Sequence, residues 1–257
     1  MTELERISAF LDASGDAVCD EVRPGRCGTA LLSPSLPRVW QLNALRVEDP
    51  SADAEEVAAE SDELLNELPH RQLFVPDAEH GARLAPPLTR DGWNATRLLL
   101  MVRRRDADRP AAPGLGAEVS RREGADALAA FRREQPLDGG SETIRQLEEM
   151  DDRFTKANSG RDFASPPDGR YSCCRLLAGD GVGQIDQVCT LNAHRNRGYA
   201  RAAVLAALDA ATVAGLDPVF LLTDAADWPQ HLYRRLGFEP AETQWEFLKL
   251  PLGSTPP

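Results

Sequence analysis

The chain has 257 residues, 42% of them hydrophobic, and a net charge of −12, enough length for one large domain or two small ones with cores of their own. So negative a protein is a poor binder of nucleic-acid backbone and a better host for cationic small molecules. No apolar run approaches the roughly 18 residues of a membrane span. The acidic, amphipathic start MTELERISAFLDASGD is unlike a secretory signal, so a cytoplasmic protein without a membrane partner is expected.

Cysteines stand at 19, 27, 173, 174 and 189, an odd number without a CxxC spacing, which reads as free thiols. The adjacent Cys173 and Cys174 should face opposite sides of a strand. Histidines 70, 80, 194 and 231 make no ligand pair at helical spacing, so no metal site is expected.

In chain order, WQLNALRV (40–47) and RQLFVPD (71–77) flank a helical DAEEVAAESDELLNEL (53–68), and RLAPPLTRDGW, with its double proline, is a poor helix. A Pro-, Gly- and Ala-rich RRRDADRPAAPGLGAE (103–118) is the natural linker. AEVSRRE then reads as a strand, and GADALAAFRREQ and SETIRQLEEMDDRFTKAN as helices. GRYSCCRLLAG and GQIDQVCTL form a hairpin about GDGV. A polar NAHRNRG leads into a helix from about Tyr199 to Ala214, ended by Gly215. PVFLLTD is a buried strand, AADWPQHLYRR a short helix with Pro229 in its first turn, and TQWEFLKL a closing strand.

The first third overlays this second part with one constant shift of 145, which places Gly92-Trp93 on Gly237-Phe238. Helix 53–68 then covers the helix beginning near Tyr199, 40–47 falls on the strand at 185–192, and 71–77 falls close to 218–224. An internal duplication follows, with units at 1–108 and 117–257 joined by a linker at 109–116.

Between a strand end and an alanine-rich helix lies Arg195-Asn196-Arg197-Gly198-Tyr199-Ala200, a Q/R-x-x-G-x-G/A pattern. A helix start presents unpaired N–H groups and a positive dipole end, which suit an anion. Gly198 permits close backbone approach, Ala200 keeps the turn uncrowded, and Arg195, Arg197 and Arg201 add charge. The alternative is an ordinary surface cap on an amphipathic helix.

The stretch QVCTLNAHRNRGYARAAVLAAL, with Leu232-Tyr233 and Gly237-Phe238 following at the spacing LY-x-x-x-GF, resembles the GNAT superfamily of acyl-CoA-dependent N-acyltransferases. The resemblance is firm from 183 onward and looser back to 117. It implies an α/β fold with a central mixed sheet flanked by helices, here two GNAT-like domains in tandem. It also implies acetyl-CoA as co-substrate, lying in a gap between two splayed parallel strands. By the same resemblance Val188, Cys189 and Thr190 hold the pantetheine arm through backbone groups, and Arg195, Asn196, Arg197, Gly198, Tyr199, Ala200 and Arg201 hold the pyrophosphate. One departure is Ala226, where many members carry asparagine.

Acyl transfer to an amine needs a proton acceptor, an oxyanion donor and a proton for the leaving thiolate. Tyr233 stands where the family often places the acid; otherwise it is a half-buried helix tyrosine. Asp186 is the leading base candidate, directly or through a water, against a carboxylate that merely lines the pocket. His231 is a second candidate, against an exposed histidine. The oxyanion donor would be a backbone N–H near Cys189, whose thiol is disfavoured as a nucleophile because the family transfers directly. Trp228 is expected to pack.

Under the 145 shift, Arg195–Ala200 falls on PSADAE (50–55), with carboxylates and no glycine; Tyr233 falls on Leu88 and Asp186 on Gln41. The N-terminal unit is thus expected to have lost the cofactor loop and the acid. The overall expectation is an N-acetyltransferase of small-molecule or peptide amines, monomeric or a homodimer, catalytic in its C-terminal unit. A non-catalytic acyl-CoA-binding sensor or scaffold is the alternative.

Overall fold

In a computed structural model the described residues are 1–105, 114–137 and 139–251. The N-terminal half comprises α1 (Glu3–Val18), β1 (Glu21–Pro24), β2 (Gly28–Leu32), β3 (Ala44–Val47), α2 (Ala54–Leu64), β4 (Arg71–Val75), α3 (Ala78–Arg90) and β5 (Asn94–Arg103). The C-terminal half comprises β6 (Ala117–Val119), α4 (Arg121–Arg133), α5 (Gly140–Ala157), β7 (Arg161–Ser165), β8 (Ser172–Gly179) and β9 (Val182–Thr190). It continues with α6 (Tyr199–Val213), β10 (Val219–Asp224), α7 (Pro229–Arg235) and β11 (Glu239–Lys249). The expected linker at 109–116 lies mostly outside the described residues.

All strands join one 11-stranded mixed sheet in the order β1-β2-β3-β4-β11-β5-β10-β9-β8-β7-β6. The last strand of each half is built into the other: β11 runs antiparallel between β4 and β5, and β5 antiparallel between β10 and β11. Several elements recur at the shift of 145, although β3 and β9, and β4 and β10, do not start 145 apart. Helices α2 and α6 start, α3 and α7 end, and β5 and β11 start at positions 145 apart. Gly92 and Gly237, φ 84° and 85°, make the same turn before β5 and β11. Even the register is two-fold: the pair Leu98–Gln244 maps onto Leu99–Thr243 under the shift.

Alternation along these strands separates two cores. Met101, Ile185, Leu221 and Tyr233 pack with α6 on one face. Leu100, Val102, Phe220 and Leu177 pack on the other face, under Ile7 and Phe10 of α1, whose ring meets Phe220 edge-on at 5.8 Å. Helices are exchanged as well as strands. N-terminal α1 covers C-terminal strands, while Met150 of α5 is buried among Val18, Leu36, Val39 and Leu42.

Three local expectations are corrected. RLAPPLTRDGW is the greater part of α3 despite Pro86 and Pro87. Leu84 and Leu88 anchor that helix in the N-terminal core, and Ala82 and Arg83, whose carbonyls lose their usual donors, are solvent-exposed. AEVSRRE is strand only to Val119, because Ser120 forms a capping box with Glu123 and starts α4. RDFAS, unassigned in the sequence reading, is the fully paired β7.

With β5 and β11 each central to the other half, neither half closes its sheet alone. Residues 1–105 and 114–257 expressed separately should fail to show cooperative thermal unfolding by circular dichroism, whereas co-expression should recover a melting complex. A cooperative melt from either fragment alone would contradict this.

Candidate active site

Strands β9 and β10 are parallel and paired only at Gly183–Val219 and Gln184–Phe220. Beyond these positions they part, and a gap opens toward their C-terminal ends. A bulge drives the parting on the β9 side: Cys173 faces Cys189 and Arg175 faces Asp186, so Gln187, at φ 53°, and Val188 share one partner position. Leu191 donates its N–H to Tyr171 of the β8 side at 2.9 Å. By strand alternation Val188 and Thr190 then turn their backbone groups the other way, into the gap. Cys189 does not; its carbonyl accepts from the Ser172 hydroxyl at 2.5 Å and its Sγ lies 3.2 Å from that of Cys173. That contact, with burial, pushes the Cys173 thiol up. Cys174 faces the other core, as expected.

At the mouth of the gap, Asn192–His194 form a 3-10 turn, and Asn196 (φ 61°) and Gly198 (φ 80°) are left-handed. Gly198 is the N-cap of α6, makes no side-chain cap, and has open space where a Cβ would stand. Tyr171 supports the loop, stacked on His194 at 3.7 Å and edge-on to Tyr199 at 5.4 Å. Arg195, Asn196 and Arg197 are exposed, and the Arg195 guanidinium donates to the Thr190 carbonyl at 3.4 Å. Tyr199, Ala200 and Arg201 form the half-exposed first turn. The pseudo-equivalent of Gly198 is Asp53, and here the halves diverge. The Asp53 carboxylate takes the Glu55 and Glu56 N–H groups at 2.9 and 3.0 Å, in a capping box. One helix thus satisfies its own first-turn donors with a negative charge, and the other leaves that place open.

Tyr233 lies on the α6 face beside the gap, 6% exposed and edge-on to Phe238 at 6.1 Å. Its phenol is pushed up by burial and, secondarily, by the charges of Cys174, Asp186 and Asp227. Asp186 lies on the opposite face, where burial raises its carboxyl against a backbone hydrogen bond from Gln187 and the nearby Arg175 charge. Arg175, 2% exposed, is fixed by Asp162 at 2.9 Å and Asp151 at 3.3 Å, and Arg132 binds Asp151 at 2.6 Å. Two other sequence candidates fall away from the site. His231 is exposed on α7 and does not line the cleft next to Asp186, and Trp228, expected to pack, is 56% exposed.

That cleft, about 370 Å³, straddles the pseudo-two-fold axis on the α1 face. Asp186 lines it, as do Gln41 from the 3-10 turn Trp40–Leu42, the end of β10 (222–224), and residues 74–76 at the end of β4. Glu246 of β11 is the acidic wall residue that sequence reasoning missed. The available signal was an acid on the alternate position between Trp245 and Phe247. Burial raises its carboxyl to about 7, helped by the charge of Asp224. Arg46, the cation on the same wall, is already engaged by Asp12, Asp16 and Glu48 at 2.8 to 3.4 Å.

The FR47-like protein family model matches residues 172–246. A GCN5-related N-acetyltransferase from Kribbella flavida is similar at 22% identity and TM-score 0.62, over 94% of this chain and 95% of that one. The chain has the GNAT-superfamily fold. A conserved protein of unknown function from Staphylococcus epidermidis aligns at 15% identity and TM-score 0.65 over 90% and 94% of the two chains. A tandem GNAT protein from the clavulanic acid biosynthesis pathway aligns at 15% and 0.50 over 90% and 77%. No curated protein sequence matches.

A carboxyl raised from 4.5 to about 7 keeps its proton in the folded chain after the unfolded chain has lost it. Each step up in pH between those values therefore costs folding stability. Glu246→Gln removes that slope. By calorimetry its melting temperature should gain on that of the wild type from about pH 5 to about pH 8, a shift that Asp186, Asp224 and Asp12, retained in the variant, cannot produce.

Proposed function

We propose that the protein transfers the acetyl group of acetyl-CoA to a primary amine of a small molecule or peptide. Transfer is by direct attack in a ternary complex, at the C-terminal half, in the cytoplasm. The observation that carries the reading is the contrast between Gly198, an empty N-cap beside two exposed arginines, and Asp53, which fills the equivalent place with its own carboxylate. An empty helix start with added guanidinium groups fits a pyrophosphate; a carboxylate-filled one repels it. When bound, acetyl-CoA supplies the activated acyl group.

Gly198, Tyr199 and Ala200 would meet the pyrophosphate through backbone N–H groups, with Arg195, Arg197 and Arg201 around it and Asn196 shaping the loop. Val188 and Thr190 offer backbone groups to the pantetheine arm, and Cys189 holds that stretch of strand through its bond with Ser172. The Val188 N–H is the oxyanion donor of this scheme. Asp186, on the cleft side, accepts the proton of the attacking amine, and its raised basicity suits that task. Tyr233, on the α6 side, returns a proton to the departing sulfur, and its burial keeps it protonated until then.

Acetyl-CoA at a hundredfold excess over its Kd should raise the melting temperature by about 5 to 10 °C. Gly198→Asp should remove the shift. That variant should still fold, because the left-handed strain of about 1–2 kcal/mol is partly offset by a self-made cap worth about 1 kcal/mol. No shift in the wild type would end the cofactor assignment.

Tyr233→Phe should retain the acetyl-CoA shift and lose about 10² or more in kcat, measured by release of CoA. An acyl-CoA-binding sensor would show the first result without any turnover to lose.

A further inference from the structure

The cleft has two ends of different chemistry. At one, Asp186 and Asp224 flank the opening between β9 and β10; at the other, Glu246 lies on β11 beside Phe74 of β4. Leu98, Leu222 and Phe154 make an apolar belt in the same wall. Glu246 is partly buried, faces the cleft, and has no hydrogen bond or ion pair among the described residues. On the matching face of β5 the residues are Leu98 and Leu100, both apolar. The acid at this end is therefore a feature of one half only, and no requirement of the duplicated fold calls for it.

Register fixes the separation. Asp224 stands opposite Leu98, and Leu98 opposite Gln244, two residues from Glu246. Two strand spacings across and two residues along put the Cα atoms of Asp224 and Glu246 roughly 12 Å apart. Both side chains line the same cleft, that of Asp224 accepting from the Ala226 N–H at 2.7 Å.

Resting on the acetyltransferase reading, we propose that the acceptor is an aliphatic amine with a second ammonium group. Its reacting nitrogen sits between Asp186 and Asp224, its methylenes lie on Leu98 and Leu222, and its distal ammonium pairs with Glu246. The N-terminal half, without a cofactor loop of its own, then serves as the far wall of the acceptor site. Glu246 is a specificity residue and takes no part in the proton transfers.

The test uses the full-length protein with α,ω-diaminoalkanes of about three to about eight carbons, and n-alkylamines of matched length. Binding is read by calorimetry with and without CoA, and transfer by CoA release from acetyl-CoA. Diamines should show a kcat/KM at least about tenfold above matched monoamines, with an optimum chain length. Glu246→Gln should collapse that ratio mainly through the KM of the diamine. Glu246→Asp should keep the preference and move the optimum to a longer chain. Diamines and monoamines within about twofold of each other in binding and transfer, or a Glu246→Gln variant that weakens both classes equally, would overturn the proposal. Failure of the acetyl-CoA thermal shift, with diamine binding intact, would instead strike the acetyltransferase reading.

Discussion

The antiparallel pairing of β5 with β11 is the constraint on which everything else in this fold rests. It is the centre of the sheet, flanked on either side by the further cross-half ladders β4–β11 and β5–β10, and the axis about which the repeated elements are arranged. Because each strand belongs by sequence to one half and by pairing to the other, the halves cannot slide or separate without breaking ladders on both sides. A register slip of one residue would exchange the faces of Leu98 and Leu99, sending a core side chain into the cleft and a cleft side chain into the core. The cleft inherits its rigidity from this. Its floor is formed by the exchanged strands, and its two ends are the carboxyl-terminal edges of β10 and β4, which the same axis brings face to face.

Symmetry of the backbone makes the asymmetry of the chemistry readable. Helices α2 and α6 begin at equivalent positions, yet one starts with Asp53 and the other with Gly198. A carboxylate at an N-cap stabilises its helix by about 1 kcal/mol and occupies the space an external anion would need. The C-terminal half forgoes that stabilisation and keeps a left-handed glycine, which a backbone chosen for stability alone has no reason to hold.

Much of this was legible in the sequence, and the parts that were not share a cause. The loop at 195–200, the strands about it and the 145 shift were all local patterns, carried by glycine placement, alternation and helix composition. The exchange of β5 and β11 is non-local; no residue in either strand states which partner it will take, and the two halves could have closed separately with the same alternation. The double proline at 86–87 misled for a related reason, since tertiary burial of Leu84 and Leu88 outweighs the lost hydrogen bonds of an exposed helix face. Asp186 was visible as an acid on the strand that leads into the loop at 195–200. Glu246 was visible only as an acid among aromatics, because its neighbours Asp224 and Phe74 come from strands far away in the chain.

The cleft also explains why Glu246 stays without an ion-pair partner among the described residues. A fold free to optimise stability would place an arginine opposite Glu246, as it does for Asp151 and Asp162 around Arg175. Arg46 is near enough to the same wall to serve, but Asp12, Asp16 and Glu48 hold it away from that role. The result is a concave, partly apolar surface that is acidic on balance and whose one lining cation among the described residues, Arg46, is already neutralised. Such a surface attracts an external cation by the same desolvation that raises its carboxyls: burial penalises the lone charge, and a bound ammonium group relieves that penalty. The acidic cleft wall and the overall charge of −12 thus act in one direction, the second drawing cations toward the molecule and the first giving them a place to stop.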